Sequence, residues 1–212
     1  QHKALRGWSP QGVHIREHSF PRGLPANSMV VRYTWAVMQH VVEQPTPAFR
    51  SHSGALEVHQ VCAWQDNFVW VIVDVAGRAA AVVDGPDAGG ALDLCTQLGV
   101  SLTTVLNTHT HPDHIGINAD LKRRGMLDTL TVIGSTRPAT AIPGQTVAGT
   151  GGDTVRLGGV EGQVLLTEGH QNGHVSYLFE DLLFCGDTLF AGGCGYLFDG
   201  PASSMHVSLQ TL

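Results

Sequence analysis

The sequence is poor in charge. Lysine, arginine, aspartate and glutamate together make up 14% of its 212 residues, and the formal net charge is −6. Its one basic run, Lys122-Arg123-Arg124, closes an expected helix, where cations complement the dipole. A nucleic-acid surface needs clustered positive charge and is excluded as a partner class. No apolar stretch approaches the roughly 18 residues of a membrane span, so no membrane partner is expected either. The N-terminus lacks the apolar segment of a secretory signal. The four cysteines, Cys62, Cys95, Cys185 and Cys194, form no Cys-x-x-Cys pair. Cys62, Cys95 and Cys185 lie in apolar stretches and read as buried thiols of a reducing compartment. A cytoplasmic location is expected, and the basic, acid-poor start leaves mitochondrial or plastid targeting open. What the sequence does hold is 42% hydrophobic residues, enough for a substantial core, and 26 glycines, which suit many tight turns and strand-to-loop junctions.

Two textures divide the chain. Residues 1–54 carry His2, His14, His18, His40 and His52 at irregular spacing among Pro10, Pro21, Pro25, Pro45 and Pro47. Only Met29 to Val42 has enough apolar character there for a helix or strand. This segment reads as an N-terminal extension of unassigned role, because no ligand-like spacing recurs in it. Residues 55–212 read as the metal-binding domain. Strands are expected over Ala55–Ala63, Phe68–Val75 and Arg78–Val83, the first two joined by a turn at Gln65-Asp66-Asn67. A helix over Ala88–Leu98 ends at Gly99, and a strand over Leu102–Asn107 follows. A second helix is expected over Gly116–Arg124, stopped by Gly125. Further strands are expected over Thr129–Gly134, Asp153–Leu157, Gln163–Thr167, Val175–Phe179 and Leu182–Cys185. The pattern is that of an α+β domain with two sheet layers and helices outside.

Between the strand and helix at the centre of this domain the chain reads Thr108-His-Thr-His-Pro-Asp-His-Ile-Gly116. His109, His111, Asp113 and His114 are concentrated donors, each of which would need a partner if buried. A turn there lets His109 and His111 point one way and Asp113 and His114 another, which suits two neighbouring metal ions. Strand-end residues complete two sets: His109, His111, His170 and Asp187 for one ion, and Asp113, His114 and Asp187 for the other. A carboxylate can bridge because each oxygen can take one ion. Asp113 is expected to be catalytic as well as a ligand. Imidazole and carboxylate donors suit zinc first, with iron or manganese also compatible. Two divalent ions would supply a hydroxide nucleophile at neutral pH for attack on an acyl or thioester carbonyl. Asp84 reads as an orienter of the histidine loop, and His174 as a residue that supports the ligands. His59 reads as a strand-surface residue, and His206, in a terminal amphipathic stretch, as a lesser candidate.

These motifs, with Gly169-His-Gln-Asn-Gly-His174, Phe184-Cys-Gly-Asp-Thr-Leu-Phe-Ala-Gly-Gly-Cys-Gly195 and Phe198-Asp-Gly200, resemble the metallo-β-lactamase superfamily, and within it the glyoxalase II (hydroxyacylglutathione hydrolase) branch. The resemblance covers roughly residues 56 to 212. It implies an αββα sandwich and a binuclear site that hydrolyses S-2-hydroxyacylglutathione thioesters such as S-lactoylglutathione, a small-molecule substrate derived from glutathione. It also implies the same metal ligands. The family has a further histidine ligand for the second metal, in a Cys-Gly-His-Glu-Tyr-like segment beyond the helix expected near Ser203. It has a C-terminal helical domain after that. Neither has a counterpart up to Leu212, so the second site is expected to lack one ligand, and exposed apolar edges would favour self-association. After Gly-Cys-Gly the family has Lys or Arg and then Tyr two residues on. Tyr196 and Phe198 stand there and are the candidate substrate-binding residues. A missing charge-assisted bond to a glutathione carboxylate costs roughly 1.5–3 kcal/mol. Two alternatives stay open: a mononuclear-iron persulfide dioxygenase or other hydrolase of this fold, and a non-catalytic metal-binding relative.

Overall fold

The computed structural model describes residues 40–137 and 141–212. Expectations that fall on residues 1–39, among them His2, His14, His18 and most of the Met29–Val42 segment, lie outside the described residues. Seven strands form one sheet in chain order: β1 (Phe49–Arg50), β2 (Leu56–Ala63), β3 (Asn67–Asp74), β4 (Ala79–Val83), β5 (Ser101–Leu106), β6 (Thr131–Ser135) and β7 (Val147–Gly149). The first four pair antiparallel and β4 to β7 pair parallel. Parallel neighbours need crossovers, and two helices supply them: α1 (Gly89–Leu98) between β4 and β5, and α2 (Pro112–Arg123) between β5 and β6. A second, antiparallel sheet of four strands holds β8 (Thr154–Leu157), β9 (Val160–Leu166), β10 (Val175–Phe179) and β11 (Leu182–Phe184), in the order β11-β10-β9-β8.

The central strands of the large sheet are buried on both faces, which is why their sequences run apolar instead of alternating. Leu56, Val58, Ile72, Ala81, Val83, Leu106 and Ile133 face the second sheet and pack against Val155, Leu157, Val164, Val175, Tyr177, Phe179, Leu182 and Phe184. Val69, Val71, Val73, Ala80, Val82, Val105 and Val132 face the helices, against Ala91 and Cys95 of α1 and Ile117 and Leu121 of α2. Each fully buried large side chain contributes about 1.5–3 kcal/mol. Tyr177 adds a polar tie: its hydroxyl donates to the Asn107 carbonyl at 2.8 Å, fastening the second sheet to the strand that leads into the histidine motif. α3 (Ala202–Thr211) buries Met205 and Ser208, whose hydroxyl donates to the Glu168 carbonyl at 2.5 Å. Helices on one face of the large sheet and the second sheet on its other face give the mixed α/β, two-sheet layering that was expected.

Several bounds differ from expectation. α2 begins at Pro112, not at Gly116, so Asp113 and His114 sit in its first turn and not in a free turn before it. The cause is Pro112, whose fixed φ and missing N–H suit the first helical position. β9 runs Val160–Leu166 instead of Gln163–Thr167, and β1 and β7 were not anticipated; at two and three residues they are too short for a periodic signal. Cys95 is buried as expected, whereas Cys62 and Cys185 are only half-buried.

Candidate metal centre

The elements deliver their carboxyl ends to one place. β4 leads to Asp84, β5 runs into Thr108–His111, β9 leads to His170, and β11 leads to the 3-10 turn Gly186–Thr188 that carries Asp187. Loops at strand ends are where such sheets present functional groups. Two glycines permit the closeness. A Cβ on Gly186, where φ is +46°, would collide with the Thr108 hydroxyl and His174, and one on Gly195 would collide with the Asp187 carbonyl and His170.

The first half of the site is imidazole. His109 Nε2 lies 3.0 Å from His111 Nδ1, and His170 Nε2 lies 2.9 Å from the same atom. Asp187 Oδ2 stands 3.3 Å from His170 Nε2. The outer nitrogens fix the tautomers. His170 Nδ1 donates to the Tyr196 carbonyl at 2.6 Å, so its Nε2 carries a lone pair inward. The Thr108 hydroxyl donates to Asp84 Oδ2 at 2.7 Å and therefore accepts from His109 Nδ1 at 3.0 Å, so His109 Nε2 is also a lone pair. Three ring nitrogens thus converge with at most one proton to share. Metal–nitrogen bonds of about 2.1 Å place neighbouring ligand atoms roughly 3.0–3.4 Å apart around one ion, so the donor set fits a divalent cation. Burial, then the neighbouring histidines, pushes His109 far below its ordinary range, and burial followed by His170 lowers His111. Both stay neutral, as ligands must.

The second half is an imidazole among carboxylates. His114 Nδ1 donates to Asp84 Oδ2 at 2.9 Å, and its Nε2 faces Asp113 Oδ2 at 3.4 Å and Asp187 Oδ1 at 3.3 Å. Burial alone would lower His114; the carboxylates of Asp84, Asp113 and Asp187 outweigh it and push the group up to about 12. A bond to His114 in turn holds Asp113 well below the ordinary carboxylate range. Asp187 therefore turns one oxygen to each half. Asp84, with φ of +53°, also accepts the Thr108 N–H at 2.9 Å. It accepts from Thr108 and His114 and so ties the histidine loop to the His114 ring, and with His109 and His114 it also forms a buried group whose donor atoms lie within 4.8 Å of one another.

His174 is fully buried and touches the site from behind. The Asp187 N–H donates to its Nε2 at 3.2 Å, and its Nδ1 lies 2.9 Å from the Thr167 hydroxyl. Burial, then His170, lowers it to about 3, so it is a neutral prop for the Asp187 turn. Phe198 stands edge-on to His111 and His170, with ring centroids 5.0 and 5.3 Å away, and Tyr196 lies 4.9 Å from Phe198. Both are exposed and form an open aromatic shelf beside the first half. His59 bonds to Glu57 and His206 is exposed on α3; neither joins the cluster.

Three supporting residues escaped sequence reasoning. Asn67 donates to Asp113 Oδ2 at 3.0 Å across 46 residues of chain. Gln171 accepts from the Thr110 N–H at 2.9 Å and its hydroxyl at 2.7 Å, tying the two histidine loops together. Asn107 exchanges amide bonds with Asn118 of 2.8 and 3.1 Å and donates to the His114 carbonyl. The position of Gln171 beside His170 was the one available signal. On the side of Asp113, His114 and Asp187 the site opens into a cleft of about 560 Å³.

Comparison with known proteins agrees with this geometry. The metallo-beta-lactamase superfamily profile matches residues 66–211. A hydroxyacylglutathione hydrolase of Gloeobacter violaceus is 45% identical over 157 residues, covering 73% of this chain and 62% of that protein. One from Methylococcus capsulatus is 43% identical over 159 residues, covering 74% and 61%. The chain thus spans about three fifths of the length of these curated relatives. Among solved structures, ETHE1 from Myxococcus xanthus superposes with a TM-score of 0.63 at 32% identity, over 73% of this chain and 68% of that one. The BLEG-1 B3 metallo-beta-lactamase, at 24% identity and a TM-score of 0.61 over 72% and 83% of the two chains, shares the fold.

Proposed function

Because this chain belongs to the metallo-β-lactamase superfamily, we propose that it is a metal-dependent hydrolase of thioesters of the S-2-hydroxyacylglutathione type. The observation that carries the reading is Asp187, whose two oxygens each stand 3.3 Å from a histidine of a different half. That is the arrangement a bridging carboxylate needs. His109, His111, His170 and Asp187 would hold one divalent ion, and Asp113, His114 and Asp187 a second, with zinc favoured by the mix of imidazole and carboxylate. When bound, such a pair supplies Lewis acidity and a nucleophile from water at neutral pH. The chain's own residues do the positioning: Asp84 and Thr108 fix the inward lone pair of His109, the Tyr196 carbonyl fixes that of His170, and Asn67 steadies Asp113. The names of the relatives support the substrate class. Free cysteines fit a cytoplasmic setting.

The test is metal analysis together with thiol release from S-lactoylglutathione. Two equivalents of divalent metal with turnover are expected. One equivalent of iron with oxygen consumption on glutathione persulfide overturns the reading in favour of a dioxygenase. Metal bound with no thioester turnover overturns it in favour of a non-catalytic relative.

A further inference from the structure

The two apolar surfaces around the centre differ in shape. The shelf of Tyr196 and Phe198, 74% and 61% exposed, flanks His111 and His170 and is open to solvent. The cleft flanks Asp113, His114 and Asp187 and is walled by Phe68, Trp70, Leu183, Leu189 and Phe190. Its lining also holds Asp66, Asp84, Asp113, Asp187 and His114, and none of the described residues lining it is lysine or arginine. Its volume of about 560 Å³ lies within the roughly 300–1,000 Å³ of pockets that bury drug-sized ligands. A lactoyl group, whose few heavy atoms occupy about the space of three waters, roughly 90 Å³, would leave most of that wall wet.

Resting on the thioester-hydrolase reading, we infer that the cleft is an acyl pocket, and that the chain prefers thioesters whose acyl part carries an aromatic or branched apolar group. A glutathione arm bears carboxylates. The apolar walls of the cleft would strip their water, and no lysine or arginine among the described lining residues would replace it. That arm therefore runs over the open shelf, and the uncharged acyl arm enters the cleft. There an aryl ring meets Trp70 of β3 and Phe190, both of which line the cleft, and aromatic pairs add stabilisation beyond the area they bury. The reaction is unchanged: water adds to the carbonyl carbon, the carbon–sulfur bond breaks, and the products are a 2-hydroxy acid and the free thiol. A phenyl replacing a methyl is several carbons larger, and one methylene in such a pocket already discriminates by about 10-fold or more.

The experiment compares S-mandeloylglutathione with S-lactoylglutathione on the metal-loaded chain, which holds the thiol constant. The expected kcat/KM ratio is at least about 10 in favour of mandeloyl. Phe190→Ala, at a position 48% exposed and safe for folding, should collapse that ratio towards one, and Trp70→Ala should do the same. A parallel measurement free of turnover is calorimetric binding of neutral mandelamide against lactamide, with tryptophan fluorescence, compared with that of Trp70→Ala, as a second reporter. A ratio near or below one with both thioesters cleaved overturns the acyl pocket and leaves the hydrolase standing. No cleavage of either, with mandelamide still bound more tightly, supports the pocket and overturns the hydrolase. Equal binding of the two amides with no cleavage overturns both.

Discussion

The two halves of the centre solve the same problem by opposite means. In the first half the partners of the outer nitrogens of His109 and His170 are neutral, a threonine hydroxyl and a backbone carbonyl, and burial keeps His109 and His111 unprotonated. Around His114 the partners are carboxylates, and in the metal-free protein they hold a proton on the ring. One half is a preformed set of lone pairs; the other is a set of negative charges that needs a cation. Asp187 belongs to both, so removing it attacks both at once. Asp187→Ala is expected to lower affinity at each position by at least about 100-fold, more than is typical of residues that merely support ligands, and to reduce turnover to background. Metal analysis after dialysis checks it. Retention of two equivalents with full activity would remove Asp187 from the bridge.

Asp84 sharpens the contrast. It accepts directly from His114 and reaches His109 only through the Thr108 hydroxyl. Three donors converge on it, and an asparagine offers one acceptor oxygen while turning an NH2 towards the rest. Asp84→Asn should weaken metal affinity by about 10–100-fold, with the larger share at the His114 half. Chelator competition that resolves the two equivalents would measure the split. Equal losses at both positions would show that the loop moves as one body and that the halves are not separable.

How much of this was legible in the sequence follows from what each residue depends on. His109, His111, Asp113 and His114 were readable because metal chemistry demands those types at close spacing within one stretch. The core strands were readable because burial on both faces writes continuous apolar runs, as in Phe68–Val75. Asn67, which reaches Asp113 across 46 residues, and Gln171, which reaches Thr110 across 61, were not readable. Amides carry no spacing rule, and their role exists only once the two sheets are stacked. The start of α2 was misread locally: the helix was expected from Gly116, although Pro112, which suits the first helical position, begins it four residues earlier. That error bears on chemistry, because it moves Asp113 and His114 onto the rigid end of a helix.

The smallest effect separates the halves by pH. In the metal-free chain the His114 proton stabilises the fold. The contribution is fully present below the ordinary histidine value of 6.5 and is lost as pH rises through about 12. A metal entering the second half must displace that proton, so its affinity should rise close to tenfold for each unit between about pH 7 and pH 9. His109 and His111 run the other way. Their values are depressed below 6.5, so both are already unprotonated across that range, and the first half owes them no proton. The first equivalent should therefore show the shallower slope, and the second should release about one proton more. Calorimetric metal titrations in two buffers of different ionisation enthalpy count those protons directly. Identical slopes and proton counts for both equivalents would mean that the metal-free protein holds His114 as it holds His109, and the distinction between lone-pair half and charged half would fall.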